Sequence, residues 1–156
     1  MTDQQPEPAQ TLDPTHARDI RDECEALSIA YARAVDFRDY ESFVALFAED
    51  GELDTGAPLI GRESIRKAIG RRPDELKSRH VLTNIFIDVQ DADNARGISY
   101  LTLYRHVGPE SLSGEPIEFQ GPAAVGHYED QFVRTPEGFR FKRRRLQLSF
   151  RRAEKL

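Results

Sequence analysis

Apolar residues recur along the first part of the chain with the period of a helix packed on one side. Ile20, Cys24, Leu27, Tyr31 and Ala34 are spaced by four and three, behind an Asp13-Pro14 pair that reads as an N-cap with proline at the first helical position. This predicts a helix from about Pro14 to Asp36. Tyr40, Phe43, Val44 and Phe47 repeat the pattern in a second, shorter helix that ends before Glu49-Asp50-Gly51, read as a turn with glycine free to take positive φ. Glu52-Leu53-Asp54 suits a short strand, and Gly61-Arg62-Glu63-Ser64 opens a third helix with Ile65, Ala68 and Ile69 on one face.

After residue 78 the period shortens to two. Four strands are predicted: His80 to Val89, Arg96 to Val107, Ala123 to Arg134 and Phe139 to Phe150. Asp91-Ala92-Asp93-Asn94 and Thr135-Pro136-Glu137-Gly138 supply short hairpin turns, which make the strands they join antiparallel. The connection from Gly108 to Pro122 exceeds a tight hairpin and has the length of a flap over a ligand site. Helices first and long antiparallel strands afterwards define an α+β fold, with three helices packed on a strongly curved, mostly antiparallel sheet. If that sheet curls around the first helix it forms a cone with an open mouth, and its uncovered apolar face is a natural surface for a homodimer or homotrimer.

A length of 156 residues suits one domain, expected over 13–151, with an N-terminal tail at 1–12 and a short tail at 152–156. A net charge of −5 argues against binding the phosphate backbone of nucleic acids. No segment reaches the roughly 20 apolar residues of a membrane helix, and the start of the chain lacks a secretory pattern, so a cytoplasmic location is expected. One cysteine, Cys24, falls on the apolar stripe and reads as a core residue.

Two residues in the first helix break the expectation for an ordinary core. Tyr31 puts a phenol on the apolar stripe and Asp36 puts a carboxylate at its end, and polar groups aimed inward cost free energy unless they find partners. A core tyrosine whose hydroxyl reaches water, and an aspartate that steadies the turn with Arg33 or Arg38, are the ordinary readings of these positions. His80 and Asn84, four apart on a strand, are expected to share a face. Imidazole titrates at about pH 6.5, so a cavity histidine exchanges protons without a large shift. In Lys142-Arg143-Arg144-Arg145 alternation splits the run between two faces; ion pairing is its ordinary use, and Arg145 is the candidate to reach into the cavity and hold a carboxylate or phosphate. No His-x-His, His-Glu-x-x-His, Cys-x-x-Cys, glycine-rich phosphate loop or nucleophile elbow is present, so neither a metal nor a nucleotide cofactor is expected.

The order of elements, with Tyr31 through Asp36, Phe43 to Gly51, Arg79-His80-Val81-Leu82-Thr83-Asn84 and Gly138-Phe139-Arg140-Phe141, resembles the SnoaL-like branch of the nuclear transport factor 2-like superfamily over roughly residues 16 to 150. The resemblance implies a cone-shaped α+β barrel. It leaves the reaction open, because the superfamily holds isomerases, dehydratases, cyclases and non-catalytic subunits. Within it the chain is most similar to scytalone dehydratase and bile-acid 7-dehydratase, whose helix tyrosine, nearby aspartate and strand histidine match Tyr31, Asp36 and His80. The bile-acid enzymes carry a further carboxylate where this chain has Leu103. Scytalone dehydratase has a second histidine near the position of His127. The resemblance thus implies a cofactor-independent lyase or isomerase on a small hydrophobic, cyclic, oxygenated compound, with His80 as acid and base, Asp36 orienting it, Tyr31 holding a substrate oxygen, and Asn84 and His127 contacting substrate. The alternative is a non-catalytic binder, or a structural subunit like the small subunit of aromatic-ring dioxygenases.

Overall fold

The computed structural model describes residues 12–119 and 121–153. Helix α1 spans Pro14–Asp36, and its Asp13 cap accepts hydrogen bonds from the backbone N–H groups of Thr15 and His16 at 3.1 and 3.2 Å. The predicted stripe of Ile20, Cys24, Leu27, Tyr31 and Ala34 is buried. Leu12, expected in the tail, packs against the core; the rest of that tail and residues 154–156 lie outside the described residues. Cys24 is fully buried among apolar side chains, and burial pushes its thiol up to about 12.

Helix α2, Tyr40–Ala45, stops before Phe47, which instead opens strand β1, Phe47–Asp54. The chain therefore runs extended through Glu49-Asp50-Gly51, where a turn was expected. Gly51 is needed for closeness, since a Cβ there would meet the carbonyl oxygens of Phe141 and Ala48 at 2.8 and 2.9 Å. Strand β2, Pro58–Ile60, was too short to give a periodic signal; it pairs antiparallel with β1 and leads into α3, Arg62–Ile69.

The long strands are β3 (Leu76–Val89), β4 (Asn94–Val107), β5 (Ala124–Thr135) and β6 (Gly138–Arg151). They join β1 and β2 in one curved, unclosed sheet of order β2-β1-β6-β5-β4-β3, in which only the β1–β6 contact is parallel. The three helices cover its concave side, with α1 against β3 and β6, so the fold is the expected α+β cone. The connection between β4 and β5 begins with a 3₁₀ turn at Pro109–Leu112, and Phe119 at its far end packs on Tyr104 with ring centroids 5.4 Å apart. Tyr104 alternates with the inward-facing Leu103 and Arg105, so that contact holds Phe119 on the convex side of the sheet. Phe86, Ile98, Tyr100 and Phe150 are also exposed.

Three irregularities in the antiparallel pairing set which side chains enter the cone. Register shifts fall between Thr83 and Phe86 on β3, at Gln131/Phe132 opposite Lys142, and at Val125/Gly126 opposite Ser149. An extra residue in one strand inverts the inside–outside alternation beyond it.

Candidate functional site

The cone encloses a cavity of about 410 Å³ between α1, α3 and the inner faces of β3 to β6, within the size range of small-molecule sites. Its body is apolar, built from residues such as Val35, Phe43, Ile65 and Leu101. A wider depression of about 880 Å³ lies elsewhere, beside Glu49, Arg62 and Glu137, and contains none of the residues singled out from the sequence.

His80 lines the cavity, and Asp36 meets it from behind the wall. The carboxylate at the end of α1 accepts from three donors of β3: Oδ1 takes the Ser78 hydroxyl at 2.7 Å and lies 2.7 Å from His80 Nδ1, while Oδ2 takes the His80 backbone N–H at 2.7 Å. Both side chains are largely shielded, with 10% of His80 and 6% of Asp36 exposed. Burial works to raise the Asp36 pKa, but the hydrogen bonds and charge of His80 outweigh it, and the carboxyl is held below its ordinary value. An ionised Asp36 is an acceptor only, so the Nδ1 position carries the imidazole proton and Nε2 keeps its lone pair. Among the described residues Nε2 has no hydrogen-bond partner, and His80 lines the cavity. Asp36 has no bond to Arg33 or Arg38; Arg38 instead donates to the carbonyl oxygens of Asp74 and Leu76 at 2.9 and 3.0 Å.

Arg72 extends this network. Its Nη2 donates to Ser78 Oγ at 2.9 Å, linking a guanidinium through a hydroxyl to Asp36 and on to His80. Ser78 escaped the sequence reading because β3 was expected to begin at His80, whereas it begins at Leu76. The signal was parity, since Ser78 and His80 are two apart on one strand.

Tyr31 is 3% exposed, lines the cavity, and meets the His80 ring edge-on with centroids 6.4 Å apart. Beside it stands Tyr128, 5.5 Å away by ring centroids and also on the cavity surface. Burial pushes both phenols up, so both keep their protons and can donate.

Arg144 lies behind the two phenols and is fully buried. Its Nε and Nη2 make a forked pair with Asp130 at 2.8 and 2.7 Å, Nη2 also donates to Ser28 Oγ at 3.0 Å, and the guanidinium lies 4.2 to 4.4 Å from the ring centroids of Phe141, Tyr128 and Tyr31.

Arg145, expected to reach the cavity, faces out instead, 45% exposed and 3.8 Å from Asp54. The bulge at Lys142 is the reason. Phe139 and Phe141 point in, the extra residue inverts the alternation, and Arg144, Leu146 and Leu148 take the inward positions. The switch of apolar residues from odd to even numbers was visible in the sequence. His127 is likewise outside, 3.4 Å from Glu129, because Tyr128, Asp130 and Phe132 hold the inward parity of β5. Asn84 sits in the β3 bulge at φ +50 and is exposed, so the same-face argument fails there. Leu103 lies directly opposite His80 on the cavity surface, so that wall is apolar. Among the described residues no group of three or more His, Cys, Asp or Glu converges as a metal would require, and no helix is long and apolar enough to cross a membrane.

Three helices on a curved, mostly antiparallel sheet with an apolar cavity between them agree with the family that the sequence matches. The chain belongs to the SnoaL-like domain family, whose model matches residues 17–145. No curated protein sequence matches it. Among solved structures it is similar to a nuclear transport factor 2-like protein with a cystatin-like fold from Novosphingobium aromaticivorans, at 27% identity and a TM-score of 0.70, covering 91% of this chain and 92% of that one. A candidate scytalone dehydratase from the same organism shares 22% identity with a TM-score of 0.70, over 91% of this chain and 93% of the other. A type 2 hexachlorocyclohexane dehydrochlorinase, LinA, shares 15% identity with a TM-score of 0.75, over 88% and 90% of the two chains. Likeness at this level establishes the fold.

Proposed function

We propose that the protein is a cofactor-independent lyase or isomerase, carrying out a dehydratase-like proton transfer on a small hydrophobic, cyclic, oxygenated compound held in the cone. The observation that carries this reading is the 2.7 Å contact of His80 Nδ1 with Asp36 on the wall of an apolar cavity, which leaves Nε2 as the base. In the proposed step Nε2 removes a proton alpha to a carbonyl, and the electron pair moves onto the carbonyl oxygen. Tyr31 and Tyr128 donate hydrogen bonds to that oxygen as charge develops. The imidazolium, steadied by ionised Asp36, then returns its proton to a departing β-hydroxyl, and water leaves with the carbon–oxygen bonding pair. Return of the proton to a different carbon makes the same cycle an isomerisation. Two of the fold neighbours bear names that describe eliminations, a dehydratase and a dehydrochlorinase, which supports the reading.

The test is proton exchange in D₂O, followed by NMR, over a panel of cyclic ketones and β-hydroxy ketones. Wild-type protein should wash deuterium into the alpha position or release the enone, and His80→Ala should not. A panel on which the two proteins behave alike would leave a binding module without catalysis.

A further inference from the structure

The cavity carries positive charge that the proton-transfer cycle does not use. Arg72, Arg105 and Arg151 line it with His80, and no Asp or Glu is among its lining residues. Arg105 and Arg151 have no carboxylate or hydrogen-bond partner for their side chains among the described residues, whereas Arg143 and Arg145 on the outer side of β6 lie 3.3 and 3.8 Å from Glu52 and Asp54 of β1. Arg72 spends one nitrogen on Ser78, while its buried Nε has no acceptor. For a chain of net charge −5 this is a local inversion of sign where an otherwise apolar chamber meets solvent, since Arg105 and Arg151 are exposed.

The sheet register orders these groups. His80 pairs with Leu103, Leu103 with Ala124 and Ala124 with Arg151, so one row across three strand spacings, about 14 Å between backbones, runs from the base to a guanidinium over small or apolar side chains. Arg105 pairs with Ser78, two residues along β3 from His80, on the same inward face of the sheet. The base therefore shares its chamber with cations that can flank a bound molecule from β4 and β6.

We propose that the compound bound here is an amphiphile with an apolar body and an oxyanion head, a carboxylate or a phosphate, which Arg105 and Arg151 take while the body rests on Leu103 and Ala124. The guanidinium fork matches either oxyanion. This rests on the catalytic reading only for which end of the molecule reacts. It sets the substrate class as anionic at one end and reactive near His80, and it excludes wholly neutral compounds as the preferred ligands.

The experiment compares 2-naphthoate, 2-naphthyl phosphate and neutral methyl 2-naphthoate, with binding followed by calorimetry at low and high salt. At least one anion should bind about tenfold or more tightly than the ester, and the preferred anion distinguishes carboxylate from phosphate recognition. Salt should erode that preference, because the cations reach solvent. The double variant Arg105→Gln/Arg151→Gln should lose the preference while keeping its affinity for the ester, and Arg18→Gln, an equal kind of charge loss on the exposed side of α1, should not. Equal binding of the three probes, no binding of any at millimolar concentration, or a preference unchanged in the double variant overturns the proposal. The measurement needs no turnover. A charge preference without His80-dependent deuterium exchange would remove the catalytic reading alone, and exchange without a charge preference would remove this one alone.

Discussion

Two carboxylate–cation pairs flank Tyr31, and they are built to opposite ends. Asp130 and Arg144 are sealed, at 1% and 0% exposure, with a forked geometry and aromatic faces against the guanidinium. His80 sits on the cavity wall with Asp36 behind it, and one imidazole nitrogen is left over. A guanidinium never gives up its proton under ordinary conditions, so the first pair can only hold structure. Imidazole does, so the second can move a proton. The same kind of contact thus supports the floor of the site in one place and leaves a ring nitrogen without a partner beside the cavity in the other, and what separates them is the cation and its access to the cavity.

The sharpest way to break that contrast is at the sealed pair. Arg144→Leu strands a buried carboxylate and should cost about 3–5 kcal/mol of stability by denaturant unfolding, a large share of what a domain this size holds. Arg144→Leu/Asp130→Leu should recover much of the loss, which would show that the penalty lies in the orphaned charge. At the open pair, His80→Ala should cost less stability than Arg144→Leu, because Asp36 keeps its bonds to Ser78 and to the backbone N–H of residue 80, and should lower turnover about 10²–10⁴-fold on any substrate found by the deuterium assay. Tyr31→Phe tests the phenol by the same assay, with an expected loss of about 10²-fold if it meets the developing oxyanion.

Asp36 offers a test through pH. Its folded pKa lies below the unfolded value of about 3.9, so its contribution to stability is complete above that value and is lost as the pH falls through the folded pKa. Wild-type protein should therefore lose stability faster than Asp36→Asn as the solution is acidified below about pH 4. Parallel acid limbs in a series of denaturant titrations would show that the carboxylate is not held as described. The smallest effects belong to the residues outside the cone. His127→Ala and Asn84→Gly should change turnover by no more than about twofold, as surface substitutions do.

What could be read from the chain divides along the same line. Tyr31 and Asp36 stood out because helical spacing is insensitive to what the rest of the fold does, and His80 because the Arg79-to-Asn84 segment resembles the family's histidine strand. Asn84 and Arg145 were misplaced by strand alternation, which a single bulge reverses for every residue beyond it, and Arg144 takes the inward position beside Arg145. His127 lost its inward position to Tyr128 by one residue. The parallel contact between β1 and β6 leaves no local signature at all, since it joins residues nearly a hundred positions apart. Ser78 and Arg72 joined the site through a strand that starts four residues earlier than its alternation suggested.

Cys24 turns the packing of α1 into a built-in stopwatch. The chain has no tryptophan to report opening by fluorescence, but it has a single thiol, fully buried and raised to about 12, on the stripe that also carries Tyr31. Thiolate is the species that reacts with iodoacetamide, so labelling at neutral pH must wait until α1 lifts from the sheet. The rate of mass gain at Cys24 then measures how often the helix that holds Tyr31 and Asp36 lets go, and a ligand seated in the cavity should slow that clock in proportion to its occupancy.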